Sequence, residues 1–405
     1  MWVRPVAIIT SMPTRRAAAS DSRLAWDTWP RGHRSVPSRS TTSKLGMPFI
    51  SRTLRCRADR GNSETRTMPT CYAQGCHAER PDMRNESNSG NRQLADMLLP
   101  HLYRACNGHL GDVNWFRADW QRGGAATGRA TWRASDGSEH DVMVKFPIRA
   151  RELLWMRRLQ HPQGDLKPVV PHVYASGSSL ESYDLAWIVI EWLPYGPLGK
   201  RWHADHVSRT VEAVTRFHEE ADAFVVDQEK ARVEDWNALC ENSVRSIKRN
   251  HIAEEARWLG LLDRLQENLP SMVERWRSRD ADHWIHGDLH LANAMSRVAA
   301  ESGEVTLIDL AEVRPGHWIE DAVFLERRLW ARPERLEATR PVKAMAETRI
   351  ARGLSVQKTY ETLADIRRAL MASTAPAFMK TEGHPKFLSA CRNQLTSALD
   401  RLQED

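Results

Sequence analysis

Residues 286–293 read HGDLHLAN and place His286, Asp288, His290 and Asn293 within eight positions, directly after the apolar Trp284 and Ile285. A packed core does not carry that density of polar groups, because each would need a hydrogen-bond partner. A second apolar run, VTLID, ends on Asp309. Two carboxylates and an amide gathered at one point suit the transfer of a phosphoryl group from a nucleotide to a hydroxyl. One carboxylate accepts the hydroxyl proton, while an Asn and an Asp, both hard oxygen donors, hold Mg²⁺ on the phosphates. A hairpin loop over 286–293, followed by the turn ESGE and the strand that ends on Asp309, would aim these groups at a common point over rigid strands.

The elements needed to position them are legible on either side. From about residue 112, DVNWFRADW, GRATWRA and HDVMVKF are short runs rich in Val, Trp and Phe, separated by QRGGAAT and SDGSE. They predict three consecutive antiparallel strands. The run ARELLWMRRL has helical spacing, and PHVYASG and LAWIVIEWL predict two further strands. After PYGPLG the period changes. Val207, Val211, Val214 and Phe217, then Ile252, Ala256, Leu259 and Leu262, then Val356, Tyr360, Leu363, Ile366 and Leu370 recur at helical spacing. The expected fold is therefore α+β, with a small antiparallel-sheet lobe over 91–193 and a mainly helical lobe over 194–405.

The order H-G-D-x-H-x-x-N at 286–293, I-D at 308 and 309, then Gly316 and Asp321, resembles the aminoglycoside phosphotransferase and choline kinase group, relatives of the protein kinases. The resemblance spans about residues 112–330 and implies a two-lobed protein-kinase-like fold that uses ATP and Mg²⁺. It implies Asp288 as catalytic base, Asn293 and Asp309 as Mg²⁺ ligands, and Asp321 as a buried carboxylate that braces the catalytic loop. His286 would orient backbone or simply be a satisfied structural histidine. His290 receives no role. The family's usual Asp after Gly316 is here His317.

In the first lobe, Lys145 in VMVKF stands where such kinases keep the lysine that meets the α- and β-phosphates, and an unpaired ammonium on an apolar strand is costly. Gly123, Gly124 and Gly128 would let backbone amides approach phosphate, although glycines also make ordinary hairpins. Glu152 is the candidate partner of Lys145, only seven residues on, and a first-turn dipole contact is the competing reading. Glu191 to Leu193 reads as the hinge whose backbone meets the adenine edge.

Composition bounds the rest. The chain has 405 residues and no run of the ~18 apolar residues that would span a membrane. Its six cysteines form no CxxC pair, and Cys71, Cys76 and His77 match no familiar zinc spacing, so a reducing, cytoplasmic setting is expected. The net charge of +6 resides in residues 1–90, with 15 basic and 7 acidic groups; the remainder carries 43 and 45. That Arg-, Ser- and Pro-rich stretch predicts a disordered basic tail, either resembling an organelle transit peptide or lying upstream of the true translation start.

Nucleic acid is not an expected partner, since only the tail supports it. The leading expectation is an ATP-dependent kinase that phosphorylates a hydroxyl of a small molecule. A pseudokinase acting as a nucleotide-binding scaffold would be expected to lack one of Lys145, Asp288, Asn293 or Asp309, and none is missing. Residues 331–405 hold 13 basic and 9 acidic groups. That balance favours a neutral or anionic acceptor over the polycation an aminoglycoside kinase would take.

Overall fold

The computed structural model describes residues 85–116, 125–161, 168–200, 202–226, 230–299 and 303–404. The expectations for Gly123, Gly124, the Cys71–His77 segment and the tail up to residue 84 lie outside them.

Five strands build the first lobe: β1 Asn114–Phe116, β2 Ala126–Arg133, β3 Glu139–Phe146, β4 Val173–Gly177 and β5 Trp187–Glu191. Every pairing is antiparallel, in the order β1-β2-β3-β5-β4. The period of two along each strand then assigns faces. Val142, Val144 and Phe146 of β3 join Trp187 and Val189 of β5 in one apolar cluster. The intervening Ile188 and Ile190 belong to a second cluster on the other face, with Met143 packed against it. Lys145 shares that second face, by alternation with Val144 and Phe146.

The first face is covered by an element the sequence reading did not foresee. Helix α1, Asn85–Ala105, lays Ala95, Leu98 and Leu102 onto the sheet with Cys106 just beyond it. It begins inside the stretch expected to be tail, so the ordered chain extends at least to Asn85. A chain starting at Asn85 should melt cooperatively, whereas one starting at Asn107 should lose that cooperativity, because the sheet would expose Val142, Val144 and Phe146. Calorimetric melts of the two chains check this.

Helix α2, Ala150–Arg158, packs on the second face and ties the lobes together. Its Trp155, fully buried, meets Phe217, Phe224 and Trp284 at ring-centroid distances of 6.2, 5.7 and 4.8 Å. About 0.5–1.5 kcal/mol per aromatic pair beyond area burial is typical. Placement of α2, and hence of Glu152, is thus set by the second lobe.

That lobe contains α3 His206–Ala221, α4 Trp236–Asn250, α5 Glu255–Arg277, α6 Trp318–Arg327, α7 Pro341–Ala351, α8 Tyr360–Ser373, the short α9 Met379–Glu382 and α10 Pro385–Glu404. Val207, Val211, Val214 and Phe217 are buried on α3 as their spacing predicts, and Leu363, Ile366 and Leu370 on α8. The expectation for Ile252–Leu262 needs correction. Ile252 precedes α5 and Ala256 is exposed; the buried face instead runs through Trp258, Leu261, Leu262, Leu265 and Leu269. Cys106, Cys240 and Cys391 are free and buried. Among the described residues no helix is long and apolar enough to cross a membrane.

Four short strands carry the motif segments: β6 His283–Ile285, β7 Ala294–Ser296, β8 Val305–Leu307 and β9 Arg314–Gly316. β6 pairs with β9 and β7 with β8. The 286–293 segment is therefore not the expected hairpin loop. It passes from one two-stranded sheet to the other, so each end is anchored independently.

Candidate active site

The loop after β6 turns at Gly287, whose φ of 79° is left-handed, and a side chain there would run into Arg314 and the Glu312 carbonyl. Asp321 on α6 fixes this turn. The His286 and Gly287 amides donate to its two oxygens at 2.8 Å each, and His218 of α3 donates through Nε2 at 3.0 Å. Arg349 of α7 in turn reaches His218 Nδ1 at 3.4 Å. Burial opposes the charge of Asp321, yet the His218 hydrogen bond and the Gly287 amide outweigh it and hold the carboxyl below its ordinary pKa. Burial likewise lowers His218, so a neutral imidazole bridges guanidinium and carboxylate.

His286 is fully buried. Its Nδ1 accepts the Asp288 amide at 3.4 Å and its Nε2 lies 3.2 Å from the Ile308 carbonyl. It thereby links the loop to the segment that carries Asp309.

Asp288 is the loop's half-buried carboxylate. Asn293 Nδ2 donates to its backbone carbonyl at 3.0 Å and lies 3.4 Å from Oδ2, while His290 Nε2 stands 3.6 Å from Oδ1. Burial, reinforced by Asp309 and Glu312 against His286 and Arg328, pushes the Asp288 carboxyl up to about 6. His290 is pushed the other way, to about 3, by burial and Arg328.

Asp309 follows β8 with a left-handed φ of 64° and a side chain that is 46% exposed. Lys145 Nζ lies 3.9 Å from its Oδ1 and 2.6 Å from Glu152 Oε1. The sequence left the Lys145–Glu152 pair open; the structure joins them. Burial works against the ammonium, but Glu152 and Asp309 together keep the lysine pKa above its usual value.

Among the described residues no three His, Cys, Asp or Glu side chains form a metal cage. Asn293 and Asp309 offer two hard oxygens and leave the other positions to phosphate and water, which fits Mg²⁺ better than a caged transition metal. Asn293 already directs its nitrogen at Asp288, so its oxygen remains for a cation.

The other anticipated residues divide. Gly128 pairs with Trp115 and Val144, and a Cβ there would strike Val113 and Trp115. Its lack of a side chain thus serves packing on the α1 face, away from Lys145. Glu191 spends its carboxylate on Arg297, whose Nε and Nη2 donate at 2.9 Å, so only backbone remains there for a base. Leu193 is buried, between the Trp192 amide bound to Asp141 and the Tyr195–Ser296 bridge. Arg297 also reaches Thr306 and the Pro168 and Val170 carbonyls, clamping the lobe connection. Neither Arg297 nor His218 was anticipated, and a single basic residue far from its partner leaves no local pattern.

His317, the departure from the family pattern, caps α6: its Nδ1 accepts the Ile319 amide at 3.2 Å and Glu320 returns to the His317 amide at 3.1 Å. Burial drives the ring to about 3, leaving it a neutral acceptor in the role an Asp would fill. Glu320 also meets Arg279 and Arg314 at 2.8 and 3.1 Å. Burial raises its pKa, but the arginines overwhelm that and hold it at about 2. A depressed folded pKa contributes stability above the unfolded value, lost as pH falls through the folded one. Wild-type stability should therefore drop between about pH 4.5 and 2, and Glu320→Gln should flatten that drop. Denaturant titrations across this window measure the difference.

A hinge between a five-stranded sheet and a helical lobe, with a Lys–Glu pair facing an Asp–Asn loop and a further Asp, defines a two-lobed kinase-like phosphotransferase. The phosphotransferase enzyme family matches residues 121–364, and the chain belongs to that family. No curated protein matches it. Among solved structures it is similar to an aminoglycoside phosphotransferase from Alicyclobacillus acidocaldarius, at 16% identity and a TM-score of 0.46, over 73% of this chain and 92% of the other. It is also similar to a microcompartment-associated aminopropanol kinase, at 15% identity and 0.48, over 77% and 97%. A choline kinase from Cryptosporidium parvum shares 10% identity at 0.43, over 78% and 96%.

Proposed function

We propose that this phosphotransferase moves the γ-phosphoryl group of ATP to a hydroxyl of a neutral or anionic small molecule. The observation that carries this is that Lys145 meets Glu152 and Asp309 while Asn293 holds Asp288, whose carboxyl feels the Asp309 charge, each with the donor type its task needs. Lys145, held charged by Glu152, binds phosphate oxygens. The Glu191–Leu193 backbone takes the adenine edge. Asn293 and Asp309 would hold Mg²⁺, which when bound offsets the phosphate charge. Asp288 accepts the proton of the attacking hydroxyl, and Asp321 keeps its loop in place through His286 and Gly287. A cytoplasmic setting accords with the three buried free thiols.

Two features support the acceptor class. Arg328 is exposed, directly follows α6, seven residues from Asp321 and four from Phe324, and acts electrostatically on both Asp288 and His290. Three buried acids of the second lobe already have arginine partners: Glu234 with Arg367, Glu320 with Arg279, Glu382 with Arg327. These neutralised acids offer no charge to a polycation such as an aminoglycoside. The test pairs hydroxyl compounds of similar shape but different charge and follows ADP release with Mg-ATP. Neutral or carboxylated alcohols should stimulate release; stimulation confined to polycationic amino alcohols would overturn the acceptor class.

A further inference from the structure

His290 lies in the same loop as Asp288 and Asn293 but takes no part in the steps assigned to them. Its surroundings are specific. Nδ1 accepts the Ala292 amide at 3.2 Å, so in the neutral ring the proton belongs to Nε2. That nitrogen lies 3.6 Å from Asp288 Oδ1. The Asp288 carboxylate has Asn293 Nδ2 on its other side, 3.4 Å from Oδ2. Behind the imidazole, Phe324 of α6 lies nearly parallel, with 6.4 Å between centroids and 29° between planes. Phe324 stands one turn from Asp321, which fixes the start of the same loop. The ring is thus held by a backbone amide on one edge and an aromatic ring beside it, and its remaining donor is 3.6 Å from the carboxylate.

We propose that His290 is a positioning residue that holds Asp288 Oδ1 through its Nε2–H, while Asn293 holds Oδ2, so that the carboxylate meets the acceptor hydroxyl in one orientation. The assignment rests on the reading of Asp288 as proton acceptor. The 3.6 Å separation is longer than a formed hydrogen bond, and such bonds commonly tighten only when substrate is bound. A displacement of about 1 Å at a reacting group costs on the order of 10²-fold in rate, so losing one of the two restraints should be visible in turnover.

Three substitutions separate this from a purely structural part. His290→Asn keeps an acceptor for the Ala292 amide but is too short to reach Asp288. His290→Gln extends an amide N–H toward the place of Nε2. His290→Ala loses both contacts. Slow ATP hydrolysis, with water as acceptor, serves as the readout, alongside a thermal melt and the KM for ATP. The expected pattern is a kcat lower by about 10- to 100-fold for Ala and Asn, substantial recovery in Gln, and an unchanged KM for ATP in all three. Wild-type kcat in His290→Asn, with loss only where the melt also falls, would overturn the proposal and leave Asp288 untouched. An Asp288→Asn control that hydrolyses ATP at the wild-type rate would overturn both readings.

Discussion

Asp288→Asn should lower phosphoryl transfer by about 10²- to 10⁴-fold, the usual scale for losing a general base, and leave nucleotide affinity nearly unchanged. The substitution preserves shape: the amide oxygen it introduces can still receive the Asn293 amide, and the backbone carbonyl that Asn293 also contacts is unaffected. What disappears is the site that takes the proton. The phosphate-side groups Lys145, Glu152 and Asp309 are bound to one another rather than to Asp288, so the nucleotide should remain. The pH profile gives the same role a sign. A base works only when ionised, and with the Asp288 carboxyl near 6 the wild-type kcat/KM should climb as pH rises through about 6 and then level off. An acid in that position would give the opposite slope. A variant that turns over like the wild type would remove Asp288 from the mechanism.

Asp321→Ala should be the most destabilising single change in the loop's support. It strips the acceptor from three buried donors at once, the His286 and Gly287 amides and His218 Nε2. Asp321 and His218 are both almost wholly inaccessible, so the donors lose their acceptor away from bulk water. Breaking a buried, hydrogen-bonded charge in this way costs about 3–5 kcal/mol. Turnover should fall as well, because the loop bearing Asp288 loses the anchor of its Gly287 turn. Asp309→Ala provides the contrast: its carboxylate is half-exposed and meets Lys145 at 3.9 Å, while Glu152 still pairs that lysine, so it should lose Mg²⁺-dependent nucleotide binding with little change in stability. Urea denaturation of the two variants distinguishes them; similar midpoints would show that Asp321 is not the brace.

Much of this is legible in the sequence because the chemistry is local there. The loop residues 286–293 fall within one short segment, Lys145 and Glu152 lie seven residues apart, and β3 and β5 stand out as short apolar runs. What was not legible depends on partners far along the chain. Arg297 and Glu191 are 106 residues apart, and His218 and Asp321 103. α1 escaped notice because the buried positions described on it, Ala95, Leu98 and Leu102, with Cys106 beyond them, make sense only once a sheet face needs covering. The phase of α5 was misread because Leu259 and Leu262 fit two registers, and Trp258 and Leu265 decide between them only by packing. Gly128 invited a phosphate reading, yet Trp115 above it explains the glycine by close approach alone.

The γ-phosphoryl group of ATP is expected to end on a small-molecule hydroxyl. Phosphorus NMR of Mg-ATP incubated with the purified chain and a panel of neutral and carboxylated alcohols follows that group directly. A new phosphomonoester resonance, growing with ADP in the wild type and suppressed in Asp288→Asn, is the predicted result. Intact ATP with every alcohol and with water, in a protein whose melt is nonetheless raised by the nucleotide, would contradict it and leave a nucleotide-binding scaffold in its place.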